Sequence, residues 1–206
     1  VAEVTPSVEP YGASVGGYTT YRLTVSLPES ASNVYSMAGN PDQALSVPAA
    51  FQVAEPFGAD VGGVDPAFFA FDANSEFDSW LTVGMTDGSD PNAISASPGL
   101  SLDAWTADAA FSTDNGAIFW MNPDSGPTGL DITMAQLTVP TAESGAASAV
   151  LQGRSDANGA GPDWQAAVSW SWNEGGTPPP PPSSPAVKTM RAATAARRAI
   201  QPAAAC

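Results

Sequence analysis

Carboxylates offer the most obvious route to chemistry in this chain. Asp72, Glu76 and Asp78 fall close together. Two such groups facing each other across a cleft are what glycoside hydrolysis requires, one to protonate the leaving group and one to activate water or attack. The plainer reading, that they solvate the edge of a strand, is the favoured one. A second group, Asp87, Asp90 and Asn92, lies in the loop Asp87-Gly-Ser-Asp-Pro-Asn92. Its oxygen ligands and glycine suit calcium, a hard cation. The spacing departs from that of an EF-hand loop, and an Asx-rich turn produces the same pattern. Calcium at this loop is the one cofactor the residues suggest. The chain has no histidine, which removes the usual general base, the Ser-His-Asp triad and the commonest zinc ligand. A single cysteine, Cys206, excludes thiolate metal clusters and internal disulfides, leaving an interchain pairing as its one disulfide option. No glycine-rich phosphate loop opens a helix. The expectation is a protein that is not an enzyme.

The charge distribution points to assembly instead. Residues 1–175 hold all 21 acidic residues and only Arg22 and Arg154, a balance of −19. Residues 176–206 carry Lys188, Arg191, Arg197 and Arg198 and no acid, a balance of +4. Such asymmetry marks an interaction tail, although a soluble acidic domain with an unimportant basic end has the same composition. The acidic body repels nucleic acid and anionic lipid, so neither is an expected partner. No apolar run is long enough for a membrane-spanning helix. The chain opens on Val1 rather than Met, as expected of a mature secreted product whose leader has been removed, and equally of a trimmed chain.

The junction between the two charge regions is Thr177-Pro-Pro-Pro-Pro-Pro-Ser-Ser-Pro185. Consecutive prolines adopt polyproline II, which has no internal hydrogen bonds. Thr177, Pro178, Pro179, Pro180, Pro181, Pro182, Ser183 and Ser184 together have the composition of an O-glycosylated or hydroxyproline-bearing stalk. There is no Asn-x-Ser/Thr sequon. The linker reaches roughly 28 Å at the polyproline rise, against a body roughly 40 Å across from size scaling. The tail beyond it, 186–206, can therefore leave its own domain and touch the next. It reads as a helix from Ala186 to Ile200 or, alternatively, as an extended docking strand.

The body, 18–175, reads as short strands. Tyr18 to Leu27 alternates, with Thr19, Tyr21, Leu23, Val25 and Leu27 on one face. Weaker strands are expected at Asn33–Met37 and Leu45–Gln52, an apolar one at Phe68–Phe71, and a central one at Phe77–Met85, where Trp80 opposes Leu81 and Val83. Leu100–Trp105, Ala117–Met121, Ile132–Val139 and Ala147–Gln152 follow. Trp164, Ala166, Val168, Trp170 and Trp172 share one face of the last strand. Three tryptophans there are a large apolar load, expected to fill the core, with an exposed sugar-binding strip as the alternative. About ten short strands separated by turn residues predict an all-β fold, an antiparallel β-sandwich, jelly-roll-like. Residues 1–17 read as an extended N-terminal arm, kept from helix by Pro6 and Pro10.

The segments Tyr21-Arg-Leu23, Asn33-Val-Tyr35, Pro56-Phe-Gly58, Phe77-Asp-Ser-Trp-Leu-Thr-Val-Gly84, Gln136-Leu-Thr-Val-Pro140 and Gln152-Gly-Arg-Ser155 occur in an order that resembles an uncharacterised secreted β-domain of bacterial and aquatic microalgal surface proteins. The resemblance runs from about Tyr18 to Trp172. It implies an extracellular surface or fibre setting and no catalytic residues. The proline stretch resembles, in composition, algal hydroxyproline-rich glycoproteins.

The expected function is a structural subunit of an extracellular filament or cell-surface coat, a helical homopolymer whose terminal arms dock on neighbouring copies. The expected contacts are Val1, Val4 and Val8 at one end and Val187, Met190, Arg197, Arg198 and Ile200 at the other. The alternative is a carbohydrate-binding module on a glycosylated linker, with Trp80, Trp105 and Trp120 as the exposed aromatic strip.

Overall fold

The computed structural model describes residues 3–12, 14–156 and 161–173. These form eleven strands in two antiparallel sheets, a β-sandwich. One sheet has four strands in the order β1 (Thr5–Pro10), β2 (Tyr18–Ser26), β9 (Ile132–Pro140), β5 (Trp80–Leu81). The other contains β6 (Ile94–Ala96), β8 (Gly116–Trp120), β3 (Ser36–Gly39), β10 (Gly145–Arg154), β4 (Leu45–Val47) and β7 (Phe111–Thr113), with β11 (Asp163–Trp172) also on β10. β11 pairs along the whole of β10, from Gly145↔Trp172 to Arg154↔Asp163. β3 and β4 pair with β10 at successive points, Val150–Gln152 and Ser148. They therefore share one flank of β10, and β11 takes the other.

The long strands are those with clean alternation. On β2, Tyr21, Leu23 and Val25 are buried in the core as the pattern predicts. On β11, Trp164, Val168, Trp170 and Trp172 are buried and their intervening neighbours Gln165, Ala167, Ser169 and Ser171 are exposed. The indoles also find polar partners. Trp164 Nε1 donates to the carbonyls of Asn33 (3.0 Å) and Arg154 (3.1 Å), and Trp170 Nε1 donates to that of Thr24 (2.8 Å). Trp172 stacks on Tyr21 across the sandwich, centroids 5.7 Å apart. The expectation that these tryptophans fill the core is met.

β9 is buried from Ile132 through Val139 on both faces. One face meets the core. The other is covered by the excursion between β4 and β5. Gln136 Nε2 donates to the carbonyls of Glu76 (3.0 Å) and Asp78 (2.8 Å), and Thr138 Oγ1 donates to that of Phe77 (2.6 Å). Polar side chains on the outer face of this sheet thus hold a covering loop instead of meeting water, as buried polar groups must.

Several expected elements differ. Phe68–Phe71 is not a strand. Pro66–Ala70 is a 3₁₀ helix whose cap, Asp65, accepts from Ala67 N–H, with Pro66 opening the first turn. Phe77–Met85 is not one long central strand. A second 3₁₀ helix, Ala73–Phe77, consumes its start, and only Trp80–Leu81 pairs, at the end of the sheet, where Val61 bridges Leu81. Leu100–Trp105 is not a strand but a turn that drives Leu102 and Trp105 inward. The strands at Ile94–Ala96 and Phe111–Thr113 were not expected; three residues are too few to display a period.

Within the expected extended N-terminal arm, Thr5–Pro10 forms the edge strand of the four-stranded sheet. β1 pairs antiparallel with β2 from Thr5↔Ser26 to Pro10↔Tyr21, and Val4 and Val8 are half-buried against the core. Val1 lies outside the described residues, as do 174–206, which include Thr177, Pro178 to Pro182, Ser183 and Ser184 of the linker and the tail residues Val187, Met190, Arg197, Arg198, Ile200 and Cys206. Among the described residues no helix is long and apolar enough to cross a membrane.

Candidate functional site

Arg22 sits on β2, on the face that alternation assigns to solvent. A covering loop and the turn after β1 enclose it instead. Its guanidinium lies over two aromatic rings, 4.4 Å from the centroid of Tyr11 and 4.9 Å from that of Trp80. Both distances are within cation–π range. Nε donates to Gln136 Oε1 at 2.8 Å, and Nη2 reaches the Thr86 carbonyl at 3.4 Å. Burial lowers the Arg22 pKa against the opposing pull of Tyr11 and Asp87. No carboxylate among the described residues pairs with it within 4.0 Å.

Arg22 lines a cleft of about 310 Å³ with Tyr11, Val64, Pro66, Phe69, Ser75, Glu76, Trp80, Thr86, Asp87 and Gln136. The lining is mixed, with Val64, Pro66 and Phe69 beside polar and charged side chains. Ser75 is only 1% exposed, and its Oγ has no hydrogen-bond partner among the described residues. The cleft thus combines an oriented cation, two carboxylates and hydroxyls, a constellation for binding a small polar molecule.

The acidic trio separates into three roles. Asp72 caps the Ala73–Phe77 helix, accepting from Asn74 N–H at 2.9 Å. Glu76 lines the cleft. Asp78 is fully buried, and its two carboxylate oxygens accept from Val53 N–H and Ala59 N–H, both at 2.7 Å. The Gln52 amide, turned nitrogen-inward, reaches Asp78 Oδ1 at 3.3 Å. Burial raises the Asp78 carboxyl to about 7, against the lowering pull of the backbone N–H groups of Ala59, Val53 and Ser79. The expectation of strand-edge solvation is therefore wrong for Asp78, which anchors the covering loop from inside.

The proposed calcium loop closes on itself. Asp87 Oδ1 accepts from Ser89 N–H at 3.0 Å and Asp90 Oδ1 from Asn92 N–H at 3.3 Å, two Asx turns. The Ser89 hydrogen bonds hold the Asp87 carboxyl below its usual range. Among the described residues, no three His, Cys, Asp or Glu side chains are grouped to hold a metal ion.

The tryptophan strip is overturned. Trp80 and Trp105 are each 2% exposed, and Trp105 Nε1 donates inward to the Pro48 carbonyl at 2.8 Å. Trp120 is half-buried, with its Nε1 donating to the Val83 carbonyl at 2.6 Å. No platform of the three rings is presented to a glycan.

A second charged cluster serves as a staple. Arg154, at the end of β10, pairs with Asp124 (3.0 Å) and with Asp163 at the start of β11 (2.9 Å). Tyr35 OH donates to Asp163 at 2.7 Å. Burial, then the bond to Asp163, raises the Tyr35 hydroxyl to about 12.

The sheet edges differ sharply. β1 carries Pro6, Glu9 and Pro10, devices that blunt an edge. β11 runs ten residues without proline, lysine or a register shift, and among the described residues no strand pairs with its outer flank. A scan against protein-family models and searches of curated proteins and of solved structures return no match.

Proposed function

We propose that this chain is a structural subunit of an extracellular filament or surface coat, polymerised by residues 186–206 of one copy adding as a strand to β11 of the next. The flank of β11 that is unpaired among the described residues, on a strand that packs near β1, carries this reading. It is long and lacks the blunting devices of β1, and strand addition at such an edge forms a row of main-chain hydrogen bonds. The tail starts just beyond it, is free of acids and carries four cations, whereas residues 1–175 have a balance of −19. Opposite charge favours their encounter. The proline linker lets the tail leave its own body, and a head-to-tail contact that does not close generates a helical polymer. The sandwich is jelly-roll-like in this reading, its chain passing between sheets at β2–β3, β4–β5, β5–β6, β8–β9 and β9–β10. Negative-stain microscopy of the full chain beside a chain ending at Gly176 tests it. Filaments are expected from the full chain alone, and a truncated protein that still polymerises ends the proposal.

A further inference from the structure

The geometry points to the Arg22 cleft as a binding site for a neutral, polyhydroxylated ring, a single sugar residue, independently of how the chain assembles. The Arg22 guanidinium lies over two rings, those of Tyr11 and Trp80. Nε is held by Gln136, and Nη2 approaches the Thr86 carbonyl. The guanidinium has five N–H donors, more than these partners use, so some remain for a ligand. A side chain packed over two rings and hydrogen-bonded at Nε has little conformational freedom left to lose on binding, which is what a preorganised donor provides.

Two observations beyond the arginine indicate a ligand. Ser75 lines the cleft with its Oγ buried and without a partner among the described residues; an unpaired hydroxyl away from water is costly, and turning it into the cleft toward a bound group relieves that cost. Glu76 also lines the cleft, and no hydrogen bond of the described residues uses its carboxylate, which accepts hydroxyl protons well. Pro66, Phe69 and Val64 give an apolar wall for C–H faces.

Charge decides the class of ligand. Glu76 and Asp87 flank the single cation, and residues 1–175 are strongly acidic. An anion would gain from Arg22 and lose to its neighbours, whereas a neutral ring can accept from Arg22 and donate to Glu76. This site shares only Trp80 with the aromatic strip considered from sequence, and it uses Trp80 as a support beneath Arg22, not as a platform.

The test titrates the full chain with methyl glycosides of glucose, galactose and mannose, and separately with glucuronate, following the Arg22 Nε–Hε resonance by NMR. A saturable shift with at least one neutral glycoside, and none with glucuronate, is expected. Ser75→Ala removes a hydroxyl that no protein group needs, so its melting temperature should match the parent while binding weakens about 3- to 10-fold. Glu76→Gln provides a second variant with the same expectation for affinity. The proposal is overturned by no saturable shift with any neutral glycoside, or by unchanged affinity in both variants. Tighter binding of glucuronate also overturns it, in favour of a carboxylate ligand.

Discussion

Trp170 Nε1 donates to the backbone carbonyl of Thr24 at 2.8 Å, a hydrogen bond from β11 to β2 across the interior of the sandwich. It falls where the register of β2 against β9 shifts, between Leu23 and Thr24. A bulge interrupts the ladder, and the indole supplies a donor at that interruption. Trp170→Phe keeps an aromatic ring but removes the donor and part of the buried volume. A loss of about 1–3 kcal/mol follows from the lost hydrogen bond and the smaller ring. Guanidinium denaturation followed by far-UV circular dichroism measures it. A variant as stable as the parent would mean the bond across the sandwich contributes nothing.

Asp78 makes stability depend on pH in an unusual direction. Its folded-state pKa, about 7, lies above the ordinary 3.8 because burial penalises the charge. The folded state therefore holds this proton over a range where the unfolded state has released it. The resulting stability is present in full below about pH 4 and is lost as pH rises through 7. A shift of about three units corresponds to about 4 kcal/mol. Asp78→Asn cannot titrate, so the stability of the parent minus that of the variant should fall by about that amount between pH 4 and pH 8. Asp60, also raised by burial, is common to both proteins and largely cancels. Urea melts across this range check the sign, and a difference that stays constant with pH removes Asp78 as the titrating group.

Alternation made the long strands legible before any coordinates, because Tyr21, Leu23 and Val25, or Trp164, Val168, Trp170 and Trp172, repeat at the pleat period. The same period misled where the outer face is covered. Thr20, Gln136 and Thr138 look solvent-facing, yet Gln136 and Thr138 hold the covering loop and Thr20 Oγ1 pairs with Thr138 Oγ1 at 2.7 Å. Such pairings join residues far apart in the chain, so no local window contains them. Asp78 was misread for the same reason. Its ligands, Val53 and Ala59, come from a loop whose path local pattern cannot specify. Arg22 carries a legible signal in composition. It is one of only two cations in residues 1–175, placed between Tyr21 and Leu23 on a strand whose other face is core.

Glycine on β10 marks a packing constraint that composition does not reveal. A Cβ on Gly153 would run into the Asn33 carbonyl and the Trp164 ring. Gly153→Ala must displace backbone on one side and an indole donating to two carbonyls on the other. A loss of about 3 kcal/mol or more is expected, in the range of severe overpacking. Gly16 is the control, since a Cβ there meets nothing within 4 Å. Gly16→Ala should be neutral or stabilising by up to about 1 kcal/mol through the unfolded state. Thermal melts of the pair decide it, and equal effects at the two sites would contradict the packing.

The edge of β11 allows assembly to be blocked without touching the tail. Ala167 and Ser169 are exposed on this strand, on either side of the buried Val168. Replacing both with lysine adds charges of the kind that natural edge strands use against pairing, and these also repel an incoming basic segment. Neither side chain is in the core, so the monomer should melt within about 0.5 kcal/mol of the parent. If residues 186–206 of a neighbour add here, Ala167→Lys with Ser169→Lys should abolish filaments as fully as truncation after Gly176 does. The same pair of lysines placed at Thr5 and Ser7 on β1, an edge already carrying Pro6 and Pro10, should leave polymerisation intact. Sedimentation of the three proteins separates the cases. Loss of polymer from the β1 pair and not from the β11 pair would move the acceptor to the opposite sheet.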